Sequence, residues 1–476
     1  MSESISEMIL PGTYIDVRAE GLIGVGGIAV GNIGIVGSAA KGPRNKVVAI
    51  GNMAEAVDAF GEPDAWGDGC LSLVRTIQMA LQGGGKNIYA VRIANGEPVQ
   101  ATATILGTGD ASFTMSAREG GSYGNQIHYA IDKVDLKDGK TNFVLTLTYR
   151  NIKETHEGKD IGTLREQIAA ASNLVEVGEI SEGSEQEWLR PVISQPLYIK
   201  HADGSEEGVQ GLDHANVTAV DLEEGLAVLV DEPVNILLAA GFDADNGADK
   251  VLAHLEETEN CGKERIALLG TSAADPDTVA DEADGISDDR VVLVAPGLIT
   301  ADPVSGAEIT CPPSYLAAVV AGKLSTLGPH ISLTNKEVAI KDLSLRYNET
   351  ITKKLLDKGM LLVRPKFGKQ IVRAITSQDG PFKQISIRRV VDYAKAGVRR
   401  GSDPYIGRLN NARVRAALKA TLDGFLSQMV MDEMLVGYTL EVSATRSQEI
   451  NGIAAVTMTL MPTFSIDYIR VTMNLG

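Results

Sequence analysis

The sequence predicts a multidomain protein of mixed α+β and α/β class, with a β-rich domain inserted into an α/β framework and strands at both ends. Three patterns predict it. Apolar and polar residues alternate with period two near each terminus and around residues 143–150, as half-buried strands do. Short apolar runs separated by helix-length stretches fill residues 234–327, which suggests an α/β layer with some parallel pairing. A chain of 476 residues has room for two or three domains.

Each element follows from its residues. Ile15, Val17 and Ala19 alternate with Asp16, Arg18 and Glu20, giving a first strand. Residues 21–37 are apolar, but seven glycines and Asn32 make them a poor membrane span and a better buried strand and loop. A strand over 28–37 closes at Lys41-Gly42-Pro43. Helices over 53–60 and 69–81 stop at Gly61 and at Gly83-Gly84-Gly85, and a strand over 87–93 completes a β-α-α-β unit. From 96 to 190 the pattern is β-rich, with Phe143, Leu145, Leu147 and Tyr149 on one face. The apolar runs 234–240, 265–269 and 291–295 come next, separated by helical stretches such as 246–259. A third region from Thr334 holds helices over 385–398 and 410–431 and strands over 438–445, 453–461 and 464–475, with Asn451-Gly452 as a turn. In the last strand Ile469, Val471, Met473 and Leu475 alternate with Arg470, Thr472 and Asn474.

The net charge of −18 argues against binding a bare nucleic-acid backbone. It is unevenly spread. Residues 364–419 hold fourteen Lys and Arg against Asp379, Asp392 and Asp403, so a basic island sits in an acidic chain. Such an island needs acids from elsewhere in the chain or from another molecule. Cys70, Cys261 and Cys311 are isolated thiols, which suggests neither a disulfide framework nor a zinc site and fits a reducing cytoplasm.

Motifs for chemistry are weak. Gly24-Val25-Gly26-Gly27-Ile28-Ala29 approximates a dinucleotide fingerprint but precedes a strand where it should follow one. Gly85-Lys86 is a poor phosphate loop, since Ala80 stands where the first glycine belongs and Asn87 replaces the magnesium-binding Ser/Thr. The six histidines have no metal-ligand spacing, no serine sits in a nucleophile elbow, and the acidic run 275–289 lacks the spacing of a calcium loop. No catalytic, cofactor or metal residue is assigned. The stronger signal is the 410–431 helix: Arg408, Arg415 and Lys419 fall in a narrow arc beside an apolar stripe of Leu418, Leu422, Phe425 and Met429. A solvated basic flank, or one paired with the chain's own acids, is the bland alternative.

Taken in order, several short motifs resemble the sheath proteins of contractile phage tails and related contractile injection systems. They are Pro11-Gly12-Thr13-Tyr14-Ile15, Val36-Gly37-Ser38-Ala39-Ala40-Lys41-Gly42-Pro43, Phe60-Gly61, Gly83-Gly84 before Tyr89-Ala90-Val91-Arg92-Ile93, and Gly121-Ser122-Tyr123-Gly124-Asn125. Cys311-Pro312-Pro313-Ser314, Ala321-Gly322 and Leu333-Thr334-Asn335-Lys336 follow. Arg388-Arg389-Val390-Val391-Asp392-Tyr393, Gln448, Asn451-Gly452 and Ile466-Asp467-Tyr468-Ile469 close the series.

The resemblance implies a structural, non-enzymatic subunit with an α/β core assembled from N- and C-terminal parts and a β-rich domain projecting outward. It divides the chain into an N-terminal arm (1–20), a first part of the core (21–95), the inserted outer domain (96–200), an α/β domain (201–333), the C-terminal core (334–462) and a C-terminal arm (463–476). The arms, with Thr13, Ile15, Val17 and Ala19 at one end and Ile469, Val471, Met473 and Leu475 at the other, would add strands to neighbouring subunits. A helix of the C-terminal core would meet an inner tube, and that contact is assigned to Arg408, Arg415 and Lys419. The implied partners are further copies of the chain in stacked hexameric rings, the inner tail tube protein, and baseplate and tail terminator proteins, with no nucleic acid and no direct membrane insertion. The implied location is the virion tail or an injection-system particle, assembled in the host bacterial cytoplasm. A non-contractile tube or shell subunit, or a nucleotide-dependent enzyme on the α/β region, are the alternatives.

Overall fold

A computed structural model describes residues 27–67, 69–135, 140–181 and 183–475. The expected strand carrying Thr13, Ile15, Val17 and Ala19 lies outside them. At the centre is an eight-stranded sheet in the order Val47–Ile50, Ile88–Arg92, Ile33–Gly37, Ile236–Ala239, Ile266–Gly270, Val291–Ala295, Met360–Pro365, Lys369–Ile371. The six inner strands run parallel, and each edge strand is antiparallel to its neighbour. Central parallel strands are covered on both faces, so they read as continuous apolar runs; every residue of Ile33–Gly37, Ile266–Gly270 and Val291–Ala295 is buried.

Two apolar layers cover the sheet. On one face lie the helices Met53–Phe60, Leu73–Gly83 and Pro313–Ser325, with Phe60, Ile77 and Leu316 in the core. On the other lie Ala219–Ala227, Ala248–Asn260, Pro276–Gly285 and Glu349–Asp357, contributing Leu222, Val251, Val279 and Leu355. Leu73–Gly83 and Pro313–Ser325 cross with their backbones nearly touching: a Cβ on Gly322 would lie 2.0 Å from the Ala80 carbonyl oxygen. Only glycine permits that approach.

Three sequence expectations are corrected. The strands of 201–333 do not form a separate domain; they occupy the middle of the sheet that also holds strands from 33–92 and 360–371. Apolar runs specify burial and leave the neighbouring strand open, so pairing across the chain was not legible. Val47–Ile50, Met360–Pro365 and Lys369–Ile371 were missed, two of them short edge strands with little period-two signal. Over 464–475, expected as a strand, no sheet pairing exists among the described residues.

The β-rich segment folds around its own core of Phe113, Met115, Tyr129, Phe143, Leu145 and Leu147, among others. Val192–Pro196, His128–Asp135, Thr141–Tyr149 and Ile152–Gly158 form one sheet, and Thr102–Leu106, Ser112–Ala117 and Val175–Val177 another. Pairing continues beyond residue 200, where Val209 bridges Thr102 and Leu212 bridges Val99, so the segment returns to its starting point.

Candidate assembly surface

The C-terminal region is built on two crossed helices, Ile385–Ser402 and Ala412–Met431, under a hairpin of Leu435–Ser443 and Ala455–Pro462. Asn411 starts the second helix, its side chain accepting from the Val414 N–H at 3.0 Å. Leu418, Leu422, Phe425 and Met429 are all buried, as the apolar stripe requires. The Phe425 ring fills the space a side chain would take at Gly397, where a Cβ would lie 1.9 Å from the ring. Tyr405 closes the crossing by bonding Thr421 Oγ1 at 2.6 Å and the Ala417 carbonyl oxygen at 3.1 Å.

The hairpin register sets Tyr438 opposite Leu460, Leu440 opposite Met458 and Val442 opposite Val456. Tyr438, Leu440, Val442, Val456 and Leu460 pack on the helices, while Thr439, Glu441, Ser443, Thr457, Thr459 and Met461 alternate outward. The expected tight turn at Asn451-Gly452 instead follows a short helix, Arg446–Ile450, opened by a Thr445–Gln448 capping box. Among the described residues this sheet has two strands, each with an unpaired outer edge.

The basic island is largely neutralised within the chain. Arg290 Nη2 meets Glu259 Oε1 at 2.7 Å and its Nη1 meets Asp392 Oδ2 at 2.8 Å. Arg388 pairs with Asp289 at 3.2 Å and Asp392 at 2.8 Å, Lys395 with Glu259 at 2.7 Å, and Arg399 with Glu264 at 2.6 Å. The Arg290 and Lys395 hydrogen bonds hold Glu259 down to about 2. Arg389 donates to the carbonyl oxygens of Val30, Leu327 and Gly328, with no carboxylate paired to it among the described residues, and burial pushes its guanidinium down to about 10. Arg400 likewise donates to the Gly27 carbonyl oxygen at 2.9 Å. The Ile385–Ser402 helix therefore grips the segment leading to residues 1–26.

Arg408, Arg415 and Lys419 are not on one helix face. Arg408 lies before the helix, after a 3₁₀ turn at Asp403–Tyr405 and the left-handed Gly407 (φ +82°), with its guanidinium 5.4 Å from the centre of the Tyr405 ring. Asparagine and glycine near 407–411 break the helix before position 408 can join its arc. Tertiary structure nevertheless brings Arg408 and Arg415 into one groove of about 370 Å³, with Leu418, Asn410, Ile453 and Val456. Arg415 is paired there with Glu449 at 3.0 Å and bonded to Asn410 Oδ1 at 2.8 Å. Lys419 is exposed one turn further along. At the rim, Ile406 and Leu409 are exposed; the apolar pair flanking Gly407-Arg408 was the overlooked signal. Ile469, Val471, Met473 and Leu475 are likewise exposed.

No chemical site emerges among the described residues. At Gly37, the strand end at the topological switch point, a Cβ would sit 2.7 Å from Ala240 Cβ and 2.8 Å from Ser72 Oγ, so the backbone there is packed closely against both residues. Gly84 (φ +110°) ends a helix before Lys86, whereas a phosphate loop would open one. The acidic run 275–289 contains the helix Pro276–Gly285 with Asp275 as its cap. Among the described residues no group of three or more His, Cys, Asp or Glu is placed to hold a metal ion, and no helix is long and apolar enough to cross a membrane.

The family model of the phage tail sheath C-terminal domain matches residues 377–476. Those residues are similar to a phage tail sheath C-terminal domain. The matched stretch includes both crossed helices, the hairpin and the exposed C-terminal segment. The whole chain is similar in fold to solved sheath proteins. Against the sheath tail protein of Desulfitobacterium hafniense the TM-score is 0.66 at 18% identity, covering 95% of this chain and 100% of that one. The sheath tail protein of Listeria innocua gives 0.64 at 14%, covering 93% and 98%. The contracted helical sheath of the anti-feeding prophage gives 0.56 at 14%, covering 98% and 99%. No curated protein sequence matches.

Proposed function

We infer that this chain is the sheath subunit of a contractile tail or injection particle, a structural protein that polymerises as a helical layer around an inner tube and contracts to drive the tube through a target envelope. One observation carries the reading: a region similar to a sheath C-terminal domain has, among the described residues, a two-stranded hairpin with both edges open and a terminal apolar segment with no strand partner. Donating residues 469–475 to the hairpin edge of a second copy satisfies both. Residues 13–19, with Thr13, Ile15, Val17 and Ala19, are proposed as the arm for the other edge, and residues 96–200 as the outward-facing domain.

The energetics favour a lattice over a dimer. Burying Ile469, Val471, Met473 and Leu475 contributes about 1.5–3 kcal/mol each. Ordering the backbone of seven residues costs about 1–2 kcal/mol each. The two nearly cancel, so one exchange is weak, and stable growth needs many exchanges made together, which the tube would template at its own diameter. Arg408, Lys419 and, in competition with Glu449, Arg415 are the proposed tube contact. Contraction is then rigid-body rotation of cores about arms that stay paired, with the free energy stored in the assembly. Baseplate and terminator proteins would hold its ends.

Electron microscopy of the purified chain, with and without the tube protein, tests the reading. Hollow striated cylinders alone and narrower ones around the tube are expected, and a chain ending at Tyr468 should fold but form neither. Cylinders of a single length and diameter would instead indicate a static shell. Replacing Arg408, Arg415 and Lys419 with Glu should abolish tube-templated assembly while sparing cylinders formed alone.

A further inference from the structure

The C-terminal segment changes face at Tyr468. Before it, the odd-numbered polar residues Ser465 and Asp467 turn into the protein while Phe464, Ile466 and Tyr468 are exposed. After it, the apolar residues Ile469, Val471, Met473 and Leu475 are odd-numbered. A shift of one residue in an alternating segment moves its apolar set to the opposite face. A single sheet face therefore cannot take both stretches, and they serve different surroundings.

The first stretch is already fixed to its own chain. Asp467, with a side chain 7% exposed, accepts from Arg373 Nε at 2.9 Å and Gln384 Nε2 at 3.1 Å through Oδ2, and from Thr334 Oγ1 at 3.4 Å through Oδ1. The Gln384 side-chain oxygen accepts from the Ser465 N–H at 3.1 Å and hydroxyl at 3.0 Å, and its nitrogen also donates to the Ser465 carbonyl oxygen at 3.1 Å. The Arg373 guanidinium lies 5.3 Å from the centre of the Tyr468 ring. Gln384 stands immediately before the Ile385–Ser402 helix but makes no cap bond to it, because its carboxamide is engaged with Ser465 and Asp467. The same helix, through Arg389 and Arg400, grips Val30 and Gly27 near the other end of the chain.

We propose that Arg373, Gln384 and Asp467 form a clip that fixes where the C-terminal arm leaves its own subunit, so that only residues 469–475 are exchanged with a second copy. They are positioning residues. Seven residues reach at most about 23 Å in extended form, and release back to Thr463 would nearly double that. The clip sets the spacing between joined copies and passes load from the arm to the Ile385–Ser402 helix. The spacing claim rests on the sheath reading; the clip does not, and can be tested on the unassembled chain.

Chymotrypsin with intact-mass readout separates the two. The wild-type chain should be cut after Tyr468 while Phe464 resists, and Asp467→Ala and Gln384→Ala should each raise cleavage after Phe464 at least tenfold. Asp467→Ala lies in the tail and leaves the core intact, so it reports on the clip even if Gln384→Ala impairs folding. Equal cleavage after Phe464 and Tyr468 in the wild type, or unchanged rates in both variants, overturns the clip. In cylinders, both variants should broaden the helical pitch; a wild-type pitch would overturn the spacing role alone. Failure of the wild-type chain to form any cylinder would count against the sheath reading and leave the proteolysis result standing.

Discussion

Arg290→Met tests how the C-terminal region of crossed helices is joined to the α/β core. Arg290 is 4% exposed and holds both Glu259 and Asp392, which sit on different elements. Methionine keeps most of the aliphatic stem and removes the charge, leaving two carboxylates facing each other across the junction. Removing one partner of a buried pair costs about 3–5 kcal/mol. Arg388 still reaches Asp392 and Lys395 still reaches Glu259, so the lower end, about 3 kcal/mol, is expected. A multidomain chain has no single unfolding free energy, so the suitable assay is amide hydrogen exchange over Ile385–Ser402. There, about 3 kcal/mol corresponds to exchange accelerated on the order of 100-fold. Arg290→Lys, which keeps the charge without the two-pronged fork, should fall between. Exchange within threefold of wild type in Arg290→Met would refute the view that this network holds the junction.

Acid should loosen the same junction. Glu259, held at about 2 by Arg290 and Lys395 against an ordinary 4.5, contributes fully above pH 4.5 and loses its contribution as pH falls towards 2. His254, kept neutral by burial and by Arg265 at 3.0 Å, sits near 4 against an ordinary 6.5, so its protonation destabilises the fold as pH falls below 6.5 towards 4. Thermal midpoints should therefore fall steadily from pH 6.5 to pH 3, and a flat profile would count against both assignments. Gly397→Ala drives a Cβ into the Phe425 ring and should cost about 1–3 kcal/mol by overpacking, read as a lower midpoint; pairing it with Phe425→Leu should recover part of that loss. Truncation after Tyr468 should leave the midpoint unchanged while abolishing cylinders.

Much of the local structure was legible because its signal is local. The apolar period over 410–431 gave both a helix, found at Ala412–Met431, and its buried stripe, and the apolar runs 265–269 and 291–295 gave strands, found at Ile266–Gly270 and Val291–Ala295. The excess of cations over 364–419 was equally plain, as was the need for acids to meet it. Which acids meet it was not, since Glu259, Glu264 and Asp289 are about a hundred residues or more from the arginines and lysines they pair with. The sequence by itself determined the periodicity, the charge island and the ordered motifs that resemble a sheath. Only the tertiary structure decided that three stretches share one sheet, that Arg408 and Arg415 line one groove, and that Asp467 ties the tail to Gln384 and Arg373. The physical reason is that helices, caps and alternation arise from neighbours along the chain, whereas strand order, ion pairs and grooves depend on which distant surfaces packing brings together.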